Sequence, residues 1–244
     1  MFSGIVTGHE GAQFVNHESQ QYDLGTIMFI DDRSYHYVEM GAADSVAGNL
    51  YQSQVASGNE DNCAVVAAVA VGSREVTLTT GEITVASDYI DGYLNIEDVD
   101  GEGRAYKIKD NAGAASGATD TITLKAAGGI NAALTTSTKV SLFKHPCMDV
   151  IRVPGPATAA PIGVAVNVIS ANQFGWMQIR GPASVLTEGT SLVIGQEVTA
   201  GTSGLPGAVL VSAGNATPTL GVCIFEAPNT SYSLIALDIP GFGI

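Results

Sequence analysis

The stretch with the most potential for chemistry is the acidic loop at 98–103, which reads Asp-Val-Asp-Gly-Glu-Gly. Oxygen ligands at alternate positions, here beginning with Asp98 and Asp100, are typical of the start of a calcium-binding loop. The twelfth position of such a loop should be a bidentate glutamate, but it is Lys109. Because the flanking residues also alternate as strands do, the sequence predicts an acidic hairpin turn, with a weak ion site as the open alternative.

The other reactive side chains show none of the spacings that catalysis or metal binding requires. No serine lies in a G-x-S-x-G turn, and no histidines form an HxH or HExxH pattern. The adjacent carboxylates Asp31–Asp32 and Glu97–Asp98 point to opposite faces of a strand or into solvent, so they do not face each other across a sugar. We therefore expect no catalytic residue, no cofactor and no metal, and the chain is not expected to be an enzyme. The four histidines are His9, His17, His36 and His145.

The composition indicates an acidic protein with enough hydrophobic residues to form a core. Of its 244 residues, 45% are hydrophobic and only 14% are charged, and the formal net charge is −14. So acidic a surface repels phosphate backbones, and we expect no nucleic-acid partner. No apolar run reaches the length of a membrane span, and the first residues are not expected to form a signal peptide. The three cysteines lie far apart in apolar surroundings, which favours buried free thiols.

Short alternating segments predict an all-β fold. In the clearest one, 92–109, apolar residues alternate on both sides of the acidic loop, which is typical of a β-hairpin. Similar segments continue to about residue 145 and predict a coherent β unit. Earlier, 26–30 and 35–40 predict another hairpin, whereas the Ala/Val-rich residues 63–71 fit either a helix or a strand.

The C-terminal part of the sequence contains an internal repeat. The segment 162–166 (IGVAV) matches 220–224 (LGVCI), and eleven residues after each glycine comes an aromatic residue, Phe174 or Tyr232. Each copy predicts a strand, a turn and a second strand, which indicates a duplication. Further short strands are predicted at 192–198 and 208–211.

Two features point to surfaces that could bind other proteins. Residues 1–24 are polar and irregular, so we expect an N-terminal arm without a core of its own, either disordered or tied to a neighbour. The only tryptophan is expected in the core, with an interface anchor as the alternative. Because aromatic residues are common interface anchors, the candidate interface residues are Phe14, Phe29, Tyr35, Tyr37 and Trp176.

The chain resembles the capsid decoration, or head cement, proteins of tailed bacteriophages. The segment 92–108 is similar to a GYL-x-I…GEG-x-x-Y-x-I stretch of many phage virion proteins. The segments that begin the repeat, at 162 and 220, resemble the hairpins of the small β-barrel of decoration proteins, and 46–51 resembles the opening strand of that barrel. The resemblance does not cover the arm.

The resemblance implies a domain organisation. A small β-barrel would be split in sequence and formed by 25–57 plus 150–244. A second β domain, 58–149, would be inserted in one of its surface loops, and 1–24 would form an extended N-terminal arm. Insertion at a surface loop is tolerated where the ends of the loop lie close together.

The resemblance also implies a function. Decoration proteins bind the outside of the expanded phage head, commonly as trimers, and cement neighbouring subunits of the major capsid protein. The expected partners are therefore the major capsid protein and further copies of this chain in a homotrimer, with no nucleic acid and no membrane. The expected localisation is the outer surface of the virion head, after assembly in the host cytoplasm. The arm is expected to reach the shell or a neighbouring subunit.

Two other functions stay open at this point. The chain could be a tail or fibre component that binds the host surface. It could also be a hydrolase of host polysaccharide, which would need a cleft with facing carboxylates.

Overall fold

A computed structural model describes residues 4–189, 192–202, 204–214 and 218–240. They form two compact units, of which Ala56–His145 is one and the chain on either side of it is the other. We call these units the insert and the split domain. The predicted boundaries, 57/58 and 149/150, lie a few residues from the observed ones. Parts of the predicted ranges fall outside the described residues, namely 1–3 of the arm and 190–191, 203, 215–217 and 241–244 of the split domain.

The regular structure of the described residues consists of β-strands and two short 3-10 helices, which confirms the all-β class. Before the insert lie β1 (Ile5–Thr7), β2 (Ile27–Ile30), β3 (Arg33–Glu39) and β4 (Leu50–Gln52). The insert contains β5 (Cys63–Ala64), β6 (Glu75–Thr79), β7 (Tyr93–Asp98), β8 (Arg104–Asn111), β9 (Thr119–Leu124) and β10 (Lys139–Phe143). After it lie β11 (Ile151–Arg152), β12 (Pro161–Ala165), β13 (Phe174–Leu186), β14 (Glu197–Ala200), β15 (Val209–Val211), β16 (Gly221–Phe225) and β17 (Tyr232–Asp238). The 3-10 helices span Ala12–Phe14 and Gly58–Glu60. In the part of the chain that is described, no helix has the length and apolar character needed to cross a membrane.

The split domain is built on one eleven-stranded sheet with β13 at its centre. The first half of β13 pairs with β3 on one side and β12 on the other, and its second half pairs with β17. From β17 the sheet continues through β16 and β14 to β15. A parallel bridge between Thr187 and Val209 then returns β15 to the end of β13. This part of the sheet therefore closes on itself, which leaves few strand edges exposed.

The two copies of the repeat form two hairpins with the same register. Val164 pairs with Gln178 in β12–β13, and Val222 pairs with Ala236 in β16–β17, so the partners are equally far apart in sequence in both copies. The second strands of the two hairpins, β13 and β17, pair with each other. The predicted strand–turn–strand units are therefore present, and the shared register supports a true duplication.

Each unit has its own hydrophobic core. In the split domain this core is formed by the closed part of the sheet together with β4 and β12, and its fully buried members include Leu50, Val164, Val185, Val198, Cys223 and Ile235. In the insert it includes Val76, Leu78, Leu94, Ile108, Ile122 and Val140. Each such side chain contributes about 1.5–3 kcal/mol when it is removed from water. All three cysteines are buried and free.

The insert is a nearly closed, barrel-like sheet of six strands in the order β5-β10-β7-β8-β9-β6. An antiparallel bridge between Val65 and Leu78 brings the two ends of this sheet together. The predicted hairpin at 92–109 is β7–β8, in which Ile96 lies opposite Arg104. The resemblance implies a small barrel in the split domain. The six-stranded barrel-like sheet lies in the insert, and the larger sheet of the split domain closes over only part of its strands.

One local prediction needs correction, and one open alternative is decided. The strand predicted at 192–198 begins only at Glu197 and extends to Ala200, and before it Gly195 adopts a φ of +86° in a turn. The segment 63–71, which fitted either a helix or a strand, contains the short strand β5 followed by isolated bridges at Val65 and Val69. Cys63, Val65 and Val69 are its buried residues and join the core of the insert.

The described residues of the N-terminal arm pack on the split domain itself. Strand β1 pairs in parallel with β2, so that Ile5 lies beside Ile27. Farther along, Glu10 forms an ion pair with Arg33, and Gln13 is buried. Disorder, one of the two expected states of the arm, is therefore wrong for residues 4–24, because they find partners on β2, β3 and β13 of the same chain. Contact of the arm with a neighbouring molecule stays a prediction.

Candidate functional site

The outward side of β16 and β17 is unusually apolar. On β17, Tyr232 and Leu234 face outward, whereas Ser233, Ile235 and Leu237 are buried. The solvent side of an antiparallel sheet is normally polar, so large exposed apolar side chains on it are typical of an interaction site. We call the exposed side chains of these two strands the outer face; they are Ile224 (40% exposed), Phe225 (65%), Tyr232 (48%) and Leu234 (38%).

A β-bulge creates half of the outer face. Cys223 pairs with Ile235, but the next pair is Phe225 with Leu234, so Ile224 is an extra residue in β16. Without this extra residue, strict alternation would turn Phe225 toward the core, because Cys223 already points inward. The bulge instead exposes both Ile224 and Phe225, and no signal in the sequence indicates where it lies.

The aromatic ring of Tyr232 is held in place by a glycine. A Cβ atom on Gly48 would lie 2.4 Å from Cε1 of Tyr232, so the ring packs closely on the backbone of Gly48 and a larger residue there would displace it. Gly48 also has a φ of +78°, a conformation that glycine adopts without strain. The ring is thereby anchored while about half of its surface stays accessible, which suits a preorganised contact residue.

The outer face carries no charge of its own. The side chains opposite it on β13 are also uncharged, since Leu234 pairs with Ser184 and Tyr232 with Leu186. Charged groups lie at its margins, where the exposed Glu226 follows Phe225 and Arg180 donates to Asp238 at 2.8 Å. On a chain of net charge −14, this face is a surface on which an acidic partner meets little repulsion.

A second, smaller apolar surface lies where the arm meets the β12–β13 loop. Phe14, Val15 and Val168 are all exposed, and we call them the arm surface. Two asparagines fix it: Asn16 donates to the carbonyl of Val168 at 2.7 Å, and Asn167 donates to the carbonyl of Phe14 at 3.0 Å. The arm surface is thus part of the folded split domain.

The five predicted interface residues divide into two groups. Phe14 lies in the arm surface and Phe29 is partly exposed on β2. Tyr35, Tyr37 and Trp176 are buried, so they are not accessible to a partner in this fold.

The buried aromatic residues hold the arm. Tyr22 packs on Tyr37 and Trp176, with ring centroids 5.2 and 5.3 Å apart, and Tyr37 packs on Trp176 at 4.9 Å. His17 contacts Tyr37 through its Nδ1 at 3.2 Å, and burial lowers the pKa of His17. Trp176 is therefore a core residue, as expected from the sequence, and Tyr37 of β3 helps to attach the arm.

The residues considered for chemistry lie apart from one another. In the acidic loop, Asp98 accepts a hydrogen bond from the backbone of Val99, and Asp100 accepts the hydroxyl of Thr135 at 2.8 Å. Asp31 and Asp32 are exposed in the turn between β2 and β3. Within the described ranges, no three His, Cys, Asp or Glu side chains are grouped as metal ligands would be.

No family model, curated protein or solved structure matches this chain. Support for a function therefore comes from the surfaces of the chain itself. The outer face has four large exposed apolar side chains on two adjacent strands.

Proposed function

We propose that this chain is a structural virion protein that binds the outside of a phage head and cements neighbouring subunits of the major capsid protein. In this role it stabilises the expanded capsid as a homotrimer. Support comes from the resemblance of 92–108 and of the two repeat segments to decoration proteins, and from the split all-β domain with its inserted β unit.

The outer face is the observation that carries the proposal. Copies of a chain with net charge −14 repel one another over most of their surface, so they associate most readily through an uncharged face. We assign the outer face to the contact between copies. Its four side chains are about half exposed, and burying the remainder contributes on the order of 4 kcal/mol. That value is near the low end of the entropic cost of association, so copies bind weakly in solution.

The arm surface is assigned to the shell. Phe14 and Val15 project from a segment that the aromatic cluster holds against the split domain, so a shell subunit would meet a fixed surface. A protein that binds only the expanded lattice stabilises that lattice by mass action. On the head, weak contacts between copies act at high effective concentration, so shell binding and trimer formation strengthen each other.

Reconstitution with heads that lack this protein tests the proposal. The purified protein should co-sediment saturably with expanded heads, should bind unexpanded heads much more weakly, and should raise the melting temperature of the expanded heads. Failure to bind expanded heads would contradict the proposal.

Two variants with the same added charge give the experiment a matched control. Phe14→Asp places a carboxylate in the arm surface and should reduce the affinity for expanded heads at least about tenfold, since it buries an unpaired charge at the contact. Val71→Asp changes another exposed apolar side chain, in the insert, and should bind as the unmodified protein does. Equal loss with both variants would remove the arm surface from the contact.

A further inference from the structure

The split domain contains an apolar cleft that neither of the surfaces above includes. The cleft has a volume of about 530 Å³, which lies in the range of ligand pockets. Its walls come from the segment 40–46, from the β4–β11 pair and from two prolines. Most of the lining is hydrophobic, including Met40, Val46, Tyr51, Val150, Pro154 and Pro206.

One cation lines this cleft, and it lacks an intramolecular partner. The split domain has three basic side chains, all arginine, against twelve carboxylates. Arg33 pairs with Glu10 and Arg180 pairs with Asp238. Among the described residues, Arg152 has neither an ion pair nor a side-chain hydrogen bond, although carboxylates are abundant in the chain. A guanidinium kept free beside an apolar wall is suited to a carboxylate from outside.

A buried tyrosine lies next to Arg152. Tyr51 is its direct cross-strand partner in the β4–β11 pair, so the two side chains share one side of the strands. The hydroxyl of Tyr51 accepts the backbone N–H of Val46 at 2.8 Å, which ties the segment 40–46 to β4. Tyr51 is only 1% exposed, so it supports the wall of the cleft, and the exposed guanidinium of Arg152 is the donor that a carboxylate from outside can reach.

The carboxylate of the cleft itself is already occupied. Asp44 lines the cleft and accepts the backbone N–H of Ala171 at 2.9 Å. It lies too far from Arg152 for an ion pair, so it does not neutralise the guanidinium. A ligand with several negative charges would be repelled by Asp44 and by the acidic surface, whereas a single carboxylate can pair with the single cation.

We propose that this cleft binds a segment of a partner polypeptide in which a carboxylate stands next to an apolar side chain. The apolar side chain packs on Val46, Pro154 and Pro206, which are at least partly exposed, and the carboxylate pairs with the exposed guanidinium of Arg152. The site does not depend on the assignment to a phage head, because it rests on the cleft and its unpaired cation alone.

N-acetyl-L-leucine is a suitable probe because it combines one carboxylate with one apolar side chain. Its uncharged analogue N-acetyl-L-leucinamide and inorganic phosphate serve as comparisons. Binding is followed on the full chain through the NMR signals of ¹³C-methyl-labelled methionine, since Met40 lies in the wall of the cleft, whereas Met28 and Met177, which are buried to a similar degree, lie outside it. The signal of Met40 should shift saturably with N-acetyl-L-leucine, and at least about tenfold more ligand should be needed with the amide.

Two arginine variants complete the test. Arg152→Gln should weaken the binding of N-acetyl-L-leucine at least about tenfold, whereas Arg180→Gln, which removes an exposed arginine outside the cleft, should leave it unchanged. Equal shifts with acid and amide, an unaffected Arg152→Gln variant, or no shift of Met40 up to the solubility limit would each overturn the proposal. A shift of Met40 with phosphate alone would overturn it in favour of a phosphoryl ligand.

Discussion

His36 is the residue whose charge matters most for stability. It lies fully buried on β3, and burial lowers its pKa from 6.5 to about 4. Neither ring nitrogen has a partner with hydrogen-bond geometry among the described residues, although the backbone of Ile162 is close enough to oppose part of the shift. The folded protein therefore holds His36 neutral where the unfolded chain would protonate it.

This burial predicts a specific pH dependence. Between pH 6.5 and about 4 the unfolded chain binds more protons at this position, so the free energy of unfolding should fall by about 1.4 kcal/mol per pH unit as the pH is lowered. Urea unfolding at several pH values measures this slope. Carboxylates also titrate near the lower end, so the difference between the protein and a His36→Phe variant isolates the histidine. A variant with the same slope would show that His36 is not responsible.

Phe225 is the most exposed residue of the outer face, so its substitution tests whether copies of the chain contact each other through this face. Phe225→Asp should leave the stability within about 0.5 kcal/mol, because the side chain is largely exposed. The concentration at which the protein reaches three times its 25.0 kDa chain mass should rise at least tenfold, as measured by sedimentation equilibrium. Ile83→Asp is the matched control in the insert, where Ile83 is 72% exposed. A Phe225→Asp protein that associates as before would exclude the outer face.

The side-chain alternation of a strand can be predicted from the sequence in one hairpin of this chain but not in β3. The alternation around the acidic loop predicts the β7–β8 hairpin, because a local turn fixes that register. The same rule fails at β3, where Tyr35, His36, Tyr37 and Val38 are all buried. One side of β3 faces the core and the arm covers the other side. Successive side chains are therefore buried on both sides, and an alternation of apolar and polar residues is not required. The bulge at Ile224 likewise depends on pairing between strands.

At the level of elements, the arm differs most from its prediction. Its polar, irregular sequence gives no periodic signal, yet β1 pairs with β2 and Tyr22 completes the aromatic cluster around Tyr37. Removing residues 1–24 would uncover Trp176 and Tyr37. Loss of head binding by the truncated protein would therefore also reflect a weakened fold, which is why Phe14→Asp is the better test of the arm.

Variants of Tyr22 measure how much the arm contributes to the stability of the split domain. Tyr22→Ala removes three ring contacts, with His17, Tyr37 and Trp176, and should lower the free energy of unfolding by about 2 kcal/mol. Tyr22→Phe keeps the ring and should stay within about 0.5 kcal/mol of the unmodified protein. Denaturant unfolding followed by the fluorescence of Trp176 reports on this region directly. An alanine variant of unchanged stability would mean that the arm is bound only loosely.

At the scale of the whole molecule, one strand pair explains how the insert can interrupt the sequence of the split domain. Gln52 on β4 lies opposite Ile151 on β11, so the chain leaves for the insert and returns from it at adjacent positions. Because the ends are close, an independent unit fits there at little cost in loop entropy. The insert has a core of its own, which is consistent with this view.

Removal of the insert tests the independence of the split domain. Replacing residues 56–145 with a short Gly/Ser linker should preserve the β-sheet circular dichroism and the cooperative unfolding of the split domain. Self-association should also persist, because the outer face lies on β16 and β17. A variant that fails to fold would show that the split domain needs the insert for its stability.

The most direct test of the proposed function is the number of copies of this chain per virion. Purified virions can be analysed by calibrated mass spectrometry, with the chain quantified against the major capsid protein. A decoration protein that occupies symmetry-related sites over the head should approach parity with the capsid protein. A few copies per particle would contradict this role and favour a tail or fibre component, and absence from the virion would contradict a structural role in the particle altogether.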